Sequence, residues 1–414
     1  MELMISLESR LFLIFYRFGR TAMHASICGA GVMKENLAMK LPMRRNTLCL
    51  LRPTRLILLL APLLLTACAT VPPAVLVKDD VSGLLLQTEQ YADDASLVWP
   101  AAPEQARYRY VGQLLGEQNF SVETPSFLHK VLKWLVGLGS RKHQPRVLQR
   151  PQNGFVADDG RIFVSDVSRG AVYVFDGKQS GKQAGLMVWD YADKQTRFVT
   201  PVGIAAGVDG EILVADAELG CVIRLDGANG SGLGMICHPE LLRPTGLTRD
   251  IAQGEIYVAD SKAHDIKVFD DAGQWLRTLG GHGEGEGQFN GPTYLSFTAG
   301  RLYVSDTLNA RIQVLDGEGG FLQAIGRRGL YLGDTPRPKG VAVDDDGNVY
   351  IVESYYDYLL IFNDKGEFLL PVGGTGNTIG RFFLPGGVWV SDDRVYVADT
   401  FNGRIVIFQY LGNT

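Results

Sequence analysis

Arg301-Leu-Tyr-Val-Ser-Asp-Thr-Leu-Asn-Ala-Arg-Ile-Gln-Val-Leu-Asp316 is the stretch whose reading decides the fold. Leu302-Tyr-Val-Ser and Ile312-Gln-Val-Leu are runs of aromatic and β-branched residues with period two, the pattern of strands rather than helices. Asp306-Thr-Leu-Asn309 between them is a polar turn. The acid that ends the first strand, Asp306, has counterparts at Asp166, Asp216, Asp260, Glu353 and Asp399. From Asp166 onward the successive gaps are 50, 44, 46, 47 and 46 residues. A period near 45 with four strand-sized runs is the signature of propeller blades. Six acids predict six blades and an all-β architecture.

The segments around this core agree. Pro201-Val-Gly-Ile-Ala, Pro244-Thr-Gly-Leu-Thr, Pro338-Lys-Gly-Val-Ala-Val and Pro385-Gly-Gly-Val-Trp-Val open their repeats with small and apolar residues, as suits innermost strands crowded at a propeller axis. Pro151-Gln-Asn-Gly-Phe-Val is one residue longer, and Pro292-Thr-Tyr-Leu-Ser has Tyr294 in place of the glycine. Outer strands are visible at Trp275-Leu-Arg-Thr-Leu, Phe321-Leu-Gln-Ala-Ile and Phe368-Leu-Leu-Pro-Val. The sixth repeat shows no fourth strand after Ile405-Val-Ile-Phe408. Arg107-Tyr-Arg-Tyr-Val-Gly112 looks like the missing one, and Gly116-Glu-Gln-Asn-Phe120 behind it echoes Gly285-Glu-Gly-Gln-Phe289. Closure of the ring by this strand is expected, because an unpaired edge invites association with other chains.

Asn309-Ala-Arg-Ile-Gln-Val and Asn402-Gly-Arg-Ile-Val resemble NHL repeats, and the resemblance spans roughly residues 148–410. It implies a six-bladed NHL-type β-propeller over 148–414. Residues 107–147 then supply the closing strand and one short amphipathic helix. NHL propellers serve as binding platforms, sensor domains and occasionally enzymes, so the resemblance speaks to fold more than to function. Blades 1, 2, 3 and 5 lack the Asn-x-Arg element.

Composition is that of an ordinary folded chain, 46% hydrophobic and 21% charged with a net charge of −5. Without a concentrated basic stripe, no nucleic-acid partner is expected. The cysteines, Cys28, Cys49, Cys68, Cys221 and Cys237, form neither a CxxC pair nor a zinc-type spacing.

Residues 1–67 read as a signal region, with translation starting at Met33, Met39 or Met43. Arg44, Arg45, Arg52 and Arg55 precede an apolar core, Leu56 to Leu65, that is too short to span a bilayer. Leu65-Thr-Ala-Cys68 resembles the bacterial lipoprotein signal. That resemblance implies an acylated Cys68, a tether over 68–106 and membrane attachment through lipid. Ala69 behind the cysteine favours the outer membrane, facing the periplasm. Prolines at 72, 73, 100 and 103 suggest a partly extended spacer. Between Ser126 and Leu138, Phe127, Leu128, Val131, Leu132, Trp134, Leu135 and Leu138 would form one apolar helix face. Such a helix either packs on the propeller or docks to a membrane or partner.

Chemistry is sparse. One acid per blade at a fixed position points to carboxylates that satisfy turn amides, not to catalysis. His238, His264 and His282 lie in separate segments without metal-ligand spacing. The inner strands read as apolar, so no cofactor is expected beyond a structural cation that the central channel could hold. Blade 5 stands apart: Ser354-Tyr-Tyr-Asp-Tyr358 replaces Asn-x-Arg, with Arg327 and Arg328 in the loop before it. Tyr355, Tyr356 and Tyr358 with these arginines either form a contact rim or pack between blades. Cys221 and Cys237 are equidistant from the turn-rich Asp226–Gly232 and would face each other in a hairpin, which favours a disulfide. The functional reading is a non-catalytic binding or assembly platform for an envelope protein, peptide or glycan. The alternative is a metal-dependent propeller enzyme of lactonase or lyase type.

Overall fold

The computed structural model describes residues 75–80, 82–88, 97–120, 145–177 and 185–412. Five four-stranded antiparallel sheets follow one another along the chain at 151–189, 201–237, 244–280, 292–325 and 338–373. A sixth contains Val388–Ser391, Arg394–Asp399 and Arg404–Tyr410. The innermost strands touch in ring order from blade 1 to blade 6 and back to blade 1. This is a six-bladed β-propeller.

Glycine is needed on the inner strands because the backbones nearly touch there. A Cβ on Gly203 would lie 2.2 Å from the Thr245 carbonyl oxygen, and one on Gly340 would lie 2.5 Å from the Val388 nitrogen. Only a residue without a side chain allows that approach. Blade 4 departs from the rule. The Tyr294 hydroxyl donates to the Gln152 carbonyl at 3.2 Å. Gln152 belongs to blade 1, directly opposite in a six-membered ring, so Tyr294 crosses the axis and plugs the channel. Burial pushes its hydroxyl well above the usual tyrosine range.

The apolar inner-strand residues do not line the channel. Ile204, Leu247, Leu295, Val341 and Val388 pack into clusters between neighbouring blades. Alternate side chains of a strand point to its two sheet faces, and in a propeller those faces meet adjacent blades. Each such aliphatic residue contributes about 1.5–3 kcal/mol on full burial. The residue after the opening proline is polar in four blades, at Gln152, Thr245, Thr293 and Lys339, and is Val202 in blade 2 and Gly386 in blade 6. Burial and the nearby Arg337 push the half-buried Lys339 amine down to about 8.

Blade 6 is completed from the N-terminal side. Tyr108–Leu114 pairs antiparallel with Arg404–Tyr410, from Ile405 opposite Leu114 to Tyr410 opposite Tyr108. The region before it differs from the expected spacer. Val75–Lys78 and Leu85–Thr88 form a hairpin that reaches the closing strand at Gln87 and Gln113. Val98–Trp99 also pairs with that strand. The apolar runs at 75–77 and 84–86 outweigh the prolines around them: Leu84 and Leu86 are buried in the cluster joining blades 6 and 1. Asp79 fastens the hairpin to Arg394 through two hydrogen bonds of 2.7 and 2.6 Å. The signal region, Cys68 and the helix expected at 126–138 lie outside the described residues. Among the described residues no helix is long and apolar enough to cross a membrane.

Candidate functional site

The turn after each second strand and the loop leading into each inner strand lie on one face of the ring, here called the turn face. The six acids sit beneath it and are all buried. Asp166 accepts the amides of Gln149 and Arg150 in the lead-in loop and of Ser168 and Arg169 in its own turn. Asp216 repeats this with Val199, Thr200, Glu218 and Leu219. Asp260 does the same with Leu242, Arg243, Lys262 and Ala263. These carboxylates staple turn to loop by accepting otherwise unpaired backbone donors. Four residues past the acid every turn adopts a left-handed conformation, at Gly170, Gly220, His264, Ala310, Asp357 and Gly403.

Blades 4 and 6 use the Asn-x-Arg element in this place. Asn309 donates to Asp306 at 2.9 Å and to the Gly283 carbonyl at 2.8 Å. Arg311 bonds Asp306 through Nε at 2.9 Å and the carbonyls of Gly285 and Gln288 through Nη2. Asn402 and Arg404 make the matching set with Asp399, Gly376, Thr378 and Arg381. Arg404 also reaches Gln113 on the closing strand at 2.9 Å. Burial nevertheless holds the Asp399 carboxyl above the usual aspartate range. The element is thus a clamp from the acid to the lead-in loop.

Blade 5 has neither clamp residue. Glu353 accepts the amides of Arg337, Tyr355 and Tyr356. Burial raises its carboxyl above the usual range. Beside it lies a groove of about 300 Å³ lined by Leu330, Tyr331, Asp334, Glu353, Tyr356 and Tyr358. Of the residues singled out from sequence, Tyr356 and Tyr358 line this groove, and Tyr358 also packs against the core between blades 4 and 5. Tyr355 is exposed and meets Tyr356 edge to face at 4.8 Å. Arg327 pairs with Asp334 at 2.9 Å. Arg328 instead turns to the Leu308 carbonyl of blade 4 at 2.6 Å.

The loop tip adds residues that no repeat pattern marks. Leu330 and Tyr331 are 77% and 79% exposed, with Leu332 beside them. Leu308, Phe383 and Phe401 are further exposed apolar residues on the turn face of blades 4 and 6. Two residues past the acid, blades 4 to 6 carry Leu308, Tyr355 and Phe401, and blades 1 to 3 carry Ser168, Glu218 and Lys262. At this position the turns of blades 4 to 6 are apolar and those of blades 1 to 3 polar, although the lead-in loops of blades 2 and 3 also expose Tyr191, Val199 and Leu242. Arginines fringe the apolar turns, with Arg150 over the Phe401 ring at 4.5 Å.

Cys221 and Cys237 are joined by a disulfide across directly opposed positions of blade 2, with Cα atoms 4.5 Å apart. His264 and His282, read as separate, have ring centroids 4.5 Å apart. His264 Nδ1 accepts the Gly291 amide at 2.9 Å. Among the described residues no group of three or more His, Cys, Asp or Glu is placed to hold a metal.

An NHL-repeat family profile matches residues 241–269. No curated protein is similar to the chain in sequence. Among solved structures, a Bacteroides thetaiotaomicron protein of unknown function is 14% identical at a TM-score of 0.52, over 63% of this chain and 70% of its own. An inactive virginiamycin B lyase from Staphylococcus aureus, with quinupristin, is 12% identical at a TM-score of 0.47, covering 63% and 95%. A luciferin-regenerating enzyme is 11% identical at 0.49, covering 64% and 92%. At such identities the likeness concerns the fold alone. The chain is thus a six-bladed β-propeller that carries a match to the NHL repeat at residues 241–269.

Proposed function

We propose that this propeller is a non-catalytic binding or assembly platform of the bacterial envelope, and that it meets its partner through the turn face of blades 4 to 6. The supporting observation is the uneven share of exposed apolar residues: Leu308, Leu330, Tyr331, Leu332, Tyr355, Phe383 and Phe401 on blades 4 to 6, against Tyr191, Val199 and Leu242 on blades 2 and 3. Exposed apolar residues gathered on one side of a face and fringed by arginine are what interfaces use, and tyrosine and arginine dominate their energetic centres. The partner is a protein, peptide or glycan, and the reading invokes no cofactor.

In this proposal an acylated Cys68 holds the propeller to the outer membrane on its periplasmic side. Mass spectrometry of membrane-extracted protein should find the acylated cysteine at the mature N-terminus. An intact peptide across Ala67-Cys68 as the dominant form would sink the anchor.

The contact face is tested by capture from solubilised envelope with wild type, Y355A/Y356A/Y358A and L330S/Y331S. Loss of a central anchor costs about 2 kcal/mol or more, enough to lose a modest partner. The second variant touches only exposed side chains, so it separates contact from folding. Equal capture by all three proteins would overturn the proposal.

A further inference from the structure

Blade 5 keeps the lead-in loop of blades 4 and 6 and lacks the side chains that clamp it. The loop bonds coincide. Asp334 N donates to the Tyr331 carbonyl at 3.0 Å, as Gln288 N does to Gly285 and Arg381 N to Thr378, each at 3.2 Å. Thr335 N donates to the Arg327 carbonyl at 2.9 Å, as Phe289 N does to Gly281 at 2.8 Å and Phe382 N to Gly374 at 2.9 Å. Counting from the acid, Tyr356 stands where Asn309 and Asn402 stand, and Tyr358 where Arg311 and Arg404 stand.

In the sister blades one guanidinium fills this position, with Nε on the acid and Nη2 on two loop carbonyls. The blade 5 counterparts of those acceptors are Glu353 and the carbonyls of Tyr331 and Asp334. Glu353 accepts two amides on Oε1 and one on Oε2. A carboxylate has about four acceptor sites, so Oε2 retains capacity. The groove lies at this place, and both Glu353 and Asp334 border it. Arg327 balances only one of those two charges. Tyrosines on the walls suit a guanidinium, which stacks on aromatic faces.

We propose that the groove is a receptor for an arginine side chain of the partner, whose guanidinium takes in trans the place that Arg311 and Arg404 take in their own blades. The inference deepens the turn-face reading and rests on it: a partner that docks there presents an arginine. It also selects between partner chemistries, since a protein or peptide carries a guanidinium and a glycan does not. Lysine lacks the planar fork that would span acid and carbonyls together, and citrulline keeps the shape without the charge.

The test uses the full chain with labelled leucine methyls and the probes acetyl-Gly-Arg-Gly-amide and acetyl-Gly-citrulline-Gly-amide. The arginine peptide should shift the methyls of Leu330, Leu332 and Leu360 saturably, and the citrulline peptide should bind about tenfold more weakly or less. Y356N/Y358R supplies the guanidinium from within, so it should no longer take up the peptide. Equal binding of both peptides, no saturable shift with either, or undiminished binding by folded Y356N/Y358R would each overturn the proposal. The wild-type comparison holds even if that variant fails to fold. Absence of arginine binding with loss of capture in Y355A/Y356A/Y358A would overturn this site and leave the contact face standing.

Discussion

Asp79→Asn should release the 75–88 hairpin from blade 6. The Asp79 carboxylate accepts both terminal nitrogens of Arg394, at 2.7 and 2.6 Å, and the Ser82 amide at 2.8 Å. The two residues are only 8% and 6% exposed. Removing one charge of a buried pair leaves the other uncompensated, at about 3–5 kcal/mol, and the isosteric amide places this change near the lower end. The same contact predicts an acid limit. Burial acts to raise the Asp79 carboxyl, but hydrogen bonds from Arg394 and Ser82 outweigh it and hold the group at about 2, below its ordinary 3.8. A carboxyl depressed in the folded state adds stability that is present above the unfolded value and lost as pH falls through the folded one. That contribution is of order 2 kcal/mol after allowance for solvent screening. It is complete above about pH 5, mostly lost near pH 2 and gone near pH 1. Hydrogen exchange of 82–88, corrected for intrinsic rates, reads it directly. D79N at neutral pH should exchange there as wild type does near pH 2, with the blade cores still protected. Wild-type protection of 82–88 in D79N, or a flat wild-type profile from pH 5 to pH 2, would refute the reasoning.

Arg404→Ala strips a buried carboxylate, two loop carbonyls and the closing strand of one shared donor, so urea unfolding should show a loss of about 3–5 kcal/mol. Arg404→Lys should recover little of it, because a single ammonium cannot span the fork, and a loss under about 1 kcal/mol in R404A would count against the clamp. A chain beginning at Arg146 leaves the edge of Arg404–Tyr410 unpaired and should self-associate on size exclusion, whereas one beginning at Val71, which keeps both the 75–88 hairpin and the closing strand, should not; identical monodispersity and melting would argue against closure by Tyr108–Leu114. The bond between Cys221 and Cys237 closes a loop of sequence separation 16. Its removal in C221S/C237S should cost about 3 kcal/mol. Two reactive thiols at these positions in denatured, unreduced protein would dispose of the bond.

The blades were legible because each repeats the same chemical demands: a small inner strand, an acid under a left-handed turn, an alternating apolar third strand. Closure was legible for the same reason, since Tyr108 to Gly112 continues a pattern that five blades complete for themselves. The Val75–Thr88 hairpin has no repeat to be compared with, and its prolines drew the reading toward a spacer. Its Asp79–Arg394 pair joins residues 315 apart, a contact no local pattern signals. The polarity of the channel is not legible in the strands alone, because alternation shows that two faces exist and ring geometry decides what each meets. At the candidate site the tyrosines stood out by type, yet their meaning lay in register. Tyr356 and Tyr358 occupy the offsets of Asn309 and Arg311 from the acid, and the groove follows from that substitution. Leu330 to Leu332 carries no sequence signal, because an apolar triplet in a loop has no period.

Ring closure has a consequence in time. Gln113 and Arg404, which meet across the seam, are 291 residues apart. The strand made early must wait for its partner while nearly the whole ring is synthesised. A lone strand in that interval presents two open edges to every other unfinished chain. The hairpin at 75–88 lies against the edge of Tyr108–Leu114 opposite the one that Arg404–Tyr410 will occupy. It therefore leaves free only the edge that the last strand needs, and turns a hazard on both sides into a docking place on one.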